Sequence, residues 1–68
     1  MHRALRKVEA GELWRLRGLF DIPDQYFLVL QVYREDGMYV GTQSMKLPCG
    51  TVCNVMVNGD PMLWEKEA

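Results

Sequence analysis

Residues 26–47 read YFLVLQVYREDGMYVGTQSMKL, with Asp36-Gly37 near the middle. Asp-Gly between two alternating segments is the strongest short signal for a β-hairpin, because a type I′ turn requires positive φ at both central residues. The stretch therefore divides into two antiparallel strands, 26–35 and 38–47. The first is filled with β-branched and aromatic residues, which suit a pleated, packed surface. It is apolar on both faces: Tyr26, Leu28, Leu30 and Val32 on one, Phe27, Val29 and Tyr33 on the other, with Gln31 the exception. A strand apolar on both sides is central in a barrel or lies beneath a partner chain. Gly41 inside the second strand predicts a bulge or sharp bend.

The same alternation continues on either side. TVCNVMV, residues 51–57, reads as a strand with Val52 and Met56 on one face and Cys53, Val55 and Val57 on the other. NGDP then turns the chain, and MLWEKE closes as a short strand around Trp64. Upstream, ELWRLR alternates Trp14 and Leu16 against Arg15 and Arg17, the pattern of a half-buried strand. Between this strand and the hairpin, GLFDIPDQ (residues 18–25) is a loop, since Pro23 keeps Ile22 out of the helical region. HRALRKVEA, residues 2–10, forms a short helix or an extended arm that Gly11 ends. The expected organisation is an N-terminal arm over 1–10 and a single small domain over 11–68.

Five short strands, a long first loop, tight later turns and a bending glycine predict an all-β fold: a five-stranded, strongly bent antiparallel barrel. Over residues 11–67 this outline resembles the SH3-like barrels, on strand count and turn placement. The ALYDY and paired-tryptophan motifs of proline-ligand SH3 domains are absent. A five-stranded OB-type barrel is the competing architecture, but it usually takes a longer chain and a helix between strands. The type II dihydrofolate reductases are also small barrels of the SH3-like kind. Their Val-Gln-Ile-Tyr motif is missing here, where the nearest segment is Val29-Leu30-Gln31-Val32-Tyr33, so that activity is not expected.

LPCGTVC, residues 47–53, carries both cysteines. In an extended segment Cys49 and Cys53 would stand about 13 Å apart, at ~3.3 Å per residue. A disulfide needs less than about 7 Å. A zinc site takes about four ligands, and the chain adds only His2 to the two thiols. Cys53 is read as a small core residue and Cys49 as a turn residue. The only serine, Ser44, and the only histidine, His2, make a poor basis for a nucleophilic triad. No catalytic residue, cofactor or metal site is expected.

Sixty-eight residues make one domain at most. The net charge of −1 is unevenly spread: residues 1–18 hold five basic and two acidic side chains (+3), and the remainder three basic and seven acidic (−4). No apolar run approaches the ~20 residues that span a bilayer, and the N-terminus has no apolar segment of the secretory kind. These features predict a cytoplasmic protein, encoded as a small gene of a bacterium, phage or plasmid.

Trp14, Phe20, Tyr26, Phe27, Tyr33, Tyr39, Trp64 and five methionines exceed what so small an interior can hold. The interior could instead be filled by Trp14, Leu28, Leu30, Val40, Val55 and Trp64, with the rest scattered singly. Contiguous exposed apolar surface marks interfaces, and Tyr, Trp, Met and Arg are enriched at interface cores. The leading expectation is therefore a non-enzymatic protein-binding or self-associating accessory protein, with Phe20, Phe27, Tyr33, Tyr39, Met45 and Met56 as candidate contacts. The alternative is single-stranded nucleic-acid binding through Trp14, Arg15 and Arg17 together with the arm's Arg3, Arg6 and Lys7, since small barrels combine stacking aromatics with basic grooves.

Overall fold

The structure, a computed structural model, describes residues 7–68. Its strands are β1 (Leu13–Leu16), β2 (Gln25–Glu35), β3 (Met38–Leu47), β4 (Thr51–Val55) and β5 (Trp64–Lys66). All lie antiparallel in one sheet of order β4-β3-β2-β1-β5. β4 and β5 are its two edges, and the sheet is not closed. Among the described residues there is no helix: 7–9 are irregular and 10–11 form a turn. The rest of the expected arm helix, residues 1–6, lies outside the described residues.

The β2–β3 turn has φ of 52° at Asp36 and 80° at Gly37, as a type I′ hairpin demands. Beyond it, β2 and β3 slip register twice. Tyr33 pairs with Gly41 but Arg34 with Tyr39, so Val40 is the extra residue of a bulge beside the glycine. Val29 pairs with Ser44 and Gln31 with Gln43, which leaves Leu30 unopposed.

This second bulge reverses the alternation of β2. Strict period two puts Gln31 on the face of Phe27 and Val29. With one residue inserted, Val32 packs on the core instead, and Gln31 is exposed. Three residues of the alternative interior lie outside it, two of them because of the bulges. Leu30 and Val40 sit at the bulges and face outward, and Leu28 lies half-buried on the outer face in the cross-strand row Leu13–Leu28–Met45–Val52.

The core consists of Val8, Trp14, Phe27, Val29, Val57 and Trp64, with Leu16, Val32, Cys53, Val55 and Leu63 packed around it. Phe27 and Trp64 meet as a tilted pair with ring centroids 5.5 Å apart, a favourable aromatic geometry. On the same face of β3 the buried residues are small and polar. Thr42 and Ser44 hydrogen-bond each other at 2.7 Å, and the Thr42 hydroxyl reaches the Val55 carbonyl at 2.8 Å. Small side chains there leave the interior volume to the two indoles.

β1 holds the two halves of the sheet together. The Gly11 N–H donates to the Val29 carbonyl at 2.8 Å, and the Val29 N–H to the Glu12 carbonyl at 2.9 Å. On the other side the Leu13 N–H donates to Ala68, and the Glu67 N–H to Leu13, both at 2.8 Å. Glu12 completes this region. One carboxylate oxygen accepts the Trp14 indole N–H at 3.0 Å and the Glu9 backbone N–H at 2.9 Å, while the other lies 3.1 Å from the Lys66 ammonium. A buried tryptophan thereby satisfies its polar end.

Burial by itself would raise the Glu12 carboxyl. The Glu9, Trp14 and Lys66 hydrogen bonds and the Lys66 charge outweigh it and hold the group below its ordinary value of 4.5. A depressed carboxyl stabilises the fold fully above its unfolded value, and the contribution is lost as pH falls through the folded one. Glu12→Gln should therefore lower the urea midpoint near pH 7, and the gap to wild type should narrow as the pH drops below about 4.5. Equal gaps at neutral and acid pH would show that the Glu12 charge does not contribute.

Candidate functional site

Residues 17–24 between β1 and β2 form the most unusual surface of the molecule. Two contacts fix the loop. The Asp24 carboxylate accepts the Gly18 N–H at 2.7 Å, and the Ile22 N–H donates to the Leu19 carbonyl at 3.0 Å. Gly18 is required by close approach, since a Cβ there would strike the Ile22 carbonyl. The other Asp24 oxygen lies 3.7 Å from Arg15, whose guanidinium also sits 3.9 Å from Glu65 and 4.0 Å from Glu67. Each such pair contributes little alone, about 0–1 kcal/mol, but one cation here ties the loop base to β5 and the C-terminal segment.

At the tip, Leu19 to Ile22 make a turn in which Phe20 has φ of 59° while Asp21 keeps a negative φ. Positive φ at only the first central residue is the pattern of type II′ turns, where glycine normally sits. A bulky residue held there costs of order 1 kcal/mol or more. The Phe20 ring gains no burial in return: its relative exposure is 103%. Leu19 at 50%, Ile22 at 61% and Met62 at 67% are also exposed.

Beside the tip lies an apolar groove of about 220 Å³ walled by Leu16, Leu19, Ile22, Pro23 and Leu63, with Arg17 and Gln25 as its polar members. The backbone closes its floor, because the Arg17 N–H donates to the Leu63 carbonyl at 2.7 Å. A rigid loop, an aromatic in water and an apolar groove suit the docking of another apolar surface. A few aromatic anchors of this kind dominate protein interfaces.

The residues expected to make contacts separate into different environments. Phe20 stands at this site. Phe27 is in the core against Trp64 and offers no contact surface, because its neighbours Trp14 and Lys46 pair on the inner face of the sheet. Tyr33 and Met56 line a second cleft of about 320 Å³ at the far end of the hairpin. The Tyr39 hydroxyl donates to the Val57 carbonyl at 2.6 Å, and burial pushes that phenol above its ordinary value despite the hydrogen bond. Met45 lies in the outer apolar row.

Of the residues expected for nucleic acid, the described ones are Lys7, Trp14, Arg15 and Arg17. Trp14 has no exposed surface and cannot stack on a base. Arg15 is engaged by the three carboxylates, and Lys7 lies 3.4 Å from Glu9. Arg17 is exposed, and Arg3 and Arg6 lie outside the described residues. Sequence reasoning missed Leu19 and Ile22. Their signal was present in GLFDIPD, a loop in which they flank Phe20 with no strand or helix period to bury them.

Both cysteines are free. Cys49 is exposed in the β3–β4 turn, and Cys53 is half-buried in β4 against the core. The Thr51 hydroxyl and backbone, and then the Lys46 charge, lower the Cys49 thiol from its ordinary value. Among the described residues no helix is long and apolar enough to cross a membrane.

Phe20→Gly should leave the thermal midpoint unchanged or raise it, because backbone strain is relieved and no packing is lost. Gly18→Ala should destabilise by about 1–3 kcal/mol, because a backbone clash opens the loop. Paired thermal melts check both; a large loss of stability in Phe20→Gly would mean that the ring packs on the fold.

No family model, curated protein or solved structure matches the chain.

Proposed function

We propose that this protein is a non-enzymatic protein-interaction module that docks through the loop between β1 and β2. One observation carries the reading: a phenylalanine with 103% relative exposure is held at φ of 59° beside an apolar groove. Local physics favours neither the backbone conformation nor the wet ring. Both are accounted for if the ring inserts into a partner, since desolvating one aromatic anchor can supply 2 kcal/mol or more of binding. Leu19, Ile22 and Leu63 form the apolar surround, and Arg17 and Asp21 bring charge to it.

The finer architecture belongs to the same proposal. A meander of four strands with β5 returning beside β1 supports an SH3-like barrel, its long first loop serving as the binding loop. A cytoplasmic accessory protein of a bacterium or mobile element remains the setting we propose. The competing reading, single-stranded nucleic acid, loses the Trp14 platform on which it was based, since that indole is inside and stacking is a main term in such binding.

A photoreactive phenylalanine analogue at position 20 should form covalent adducts with protein on irradiation in cells. The same analogue at Tyr33, in the distant cleft, serves as the control. Adducts from position 20 that exceed the control support the reading. Equal yields, or none from position 20, overturn it.

A further inference from the structure

We propose that the partner of the β1–β2 loop is a second copy of this chain, and that two copies exchange Phe20 rings across a two-fold axis. The proposal rests on the loop being a docking site and adds the identity of the occupant. Ring and groove stand side by side on one loop. The turn at Leu19–Ile22 aims Phe20 away from its own groove, as its complete exposure shows. Under a two-fold axis each ring can enter the other copy's groove, so one symmetry operation satisfies both anchors. The groove, at about 220 Å³, has room for a phenyl group, since a cavity of about 150 Å³ accepts benzene.

Charge on the loop favours the same occupant. Arg17 and Asp21 flank Phe20 and are both exposed, and neither makes an ion pair among the described residues. Across a two-fold axis the Arg17 of each copy faces the Asp21 of the other, giving two reciprocal pairs from one surface. A foreign partner would have to supply an acid, a base and an aromatic in the same arrangement, whereas the chain already carries them. Two rings with the Leu19, Ile22, Pro23 and Leu63 walls they meet bury on the order of 1,000 Å² in total, the lower end of specific interfaces. The dimer therefore forms at micromolar rather than nanomolar concentration.

Sedimentation velocity from about 5 to about 500 µM brackets that affinity. Wild type should pass from monomer to dimer, and Phe20→Ser should stay monomeric. Arg17→Asp alone sets acid against acid across the axis, and Asp21→Arg alone sets base against base, so each should weaken association at least tenfold. An equimolar mixture of these two variants places acid opposite base at both contacts and should restore the dimer. A wild type that is monomeric throughout, or a dimer that none of these changes affects, overturns the exchange. The mixture remaining monomeric also overturns it, because rescue by mixing requires reciprocal contacts. A monomer that still gives position-20 adducts with a different protein removes only the second copy as partner and leaves the docking role intact.

Discussion

Everything in this small fold depends on the sealing of Trp14. The indole is the largest wholly buried side chain, on a four-residue strand that bonds to β2 on one side and to the C-terminal strand on the other. Its N–H is met by Glu12, which also reaches Lys66 on β5 and the Glu9 backbone. Removing a buried tryptophan costs about 3–5 kcal/mol. A core of this size holds only about 3–5 kcal/mol in total. β1 is thus both the keystone of the core and the strand from which the exposed loop departs.

Filling the interior with two indoles and a phenyl ring leaves little room for the other large side chains. β3 accommodates them by carrying Gly41, Thr42 and Ser44 where Leu or Ile would otherwise stand. Two bulges send Leu30 and Val40 outward. The surplus could have been scattered, and part of it is. The β1–β2 loop differs because its apolar residues are held in place. Asp24 clamps Gly18, Arg15 anchors Asp24, and the turn that exposes Phe20 is a conformation phenylalanine would not choose. Strain maintained by several independent contacts at an exposed aromatic fits a surface kept ready to bind, where preorganisation lowers the entropic cost of docking.

Much of the architecture could be read from the residues. Asp36-Gly37 located the hairpin, alternation located all five strands to within a few residues, and Gly41 marked a bulge. These features are local, fixed by turn chemistry and by the two-residue period. What escaped was set by tertiary contacts. Nothing in YFLVLQVYR marks Leu30 as the inserted residue, so Val32 and Gln31 could not be assigned to their faces. Phe20 and Phe27 look alike as residue types, and only the pairing of β2 with β1 and β3 sends one inside. Trp14 beside two arginines suggested a stacking platform, yet the alternation that turns Arg15 outward turns the indole inward. Val8, assigned to the arm, closes the core.

The chain contains only two phenylalanines, which allows a direct test. Fluorine NMR of protein labelled at both rings, recorded in light and heavy water, reports the wetting of each. At low concentration Phe20 should show the full solvent isotope shift and Phe27 almost none, and the Phe20 shift should shrink as the binding surface is occupied. A Phe20 ring already dry in dilute protein, or one that stays wet at the highest concentration and in the presence of cell extract, would contradict the claim that this loop is held open to bind.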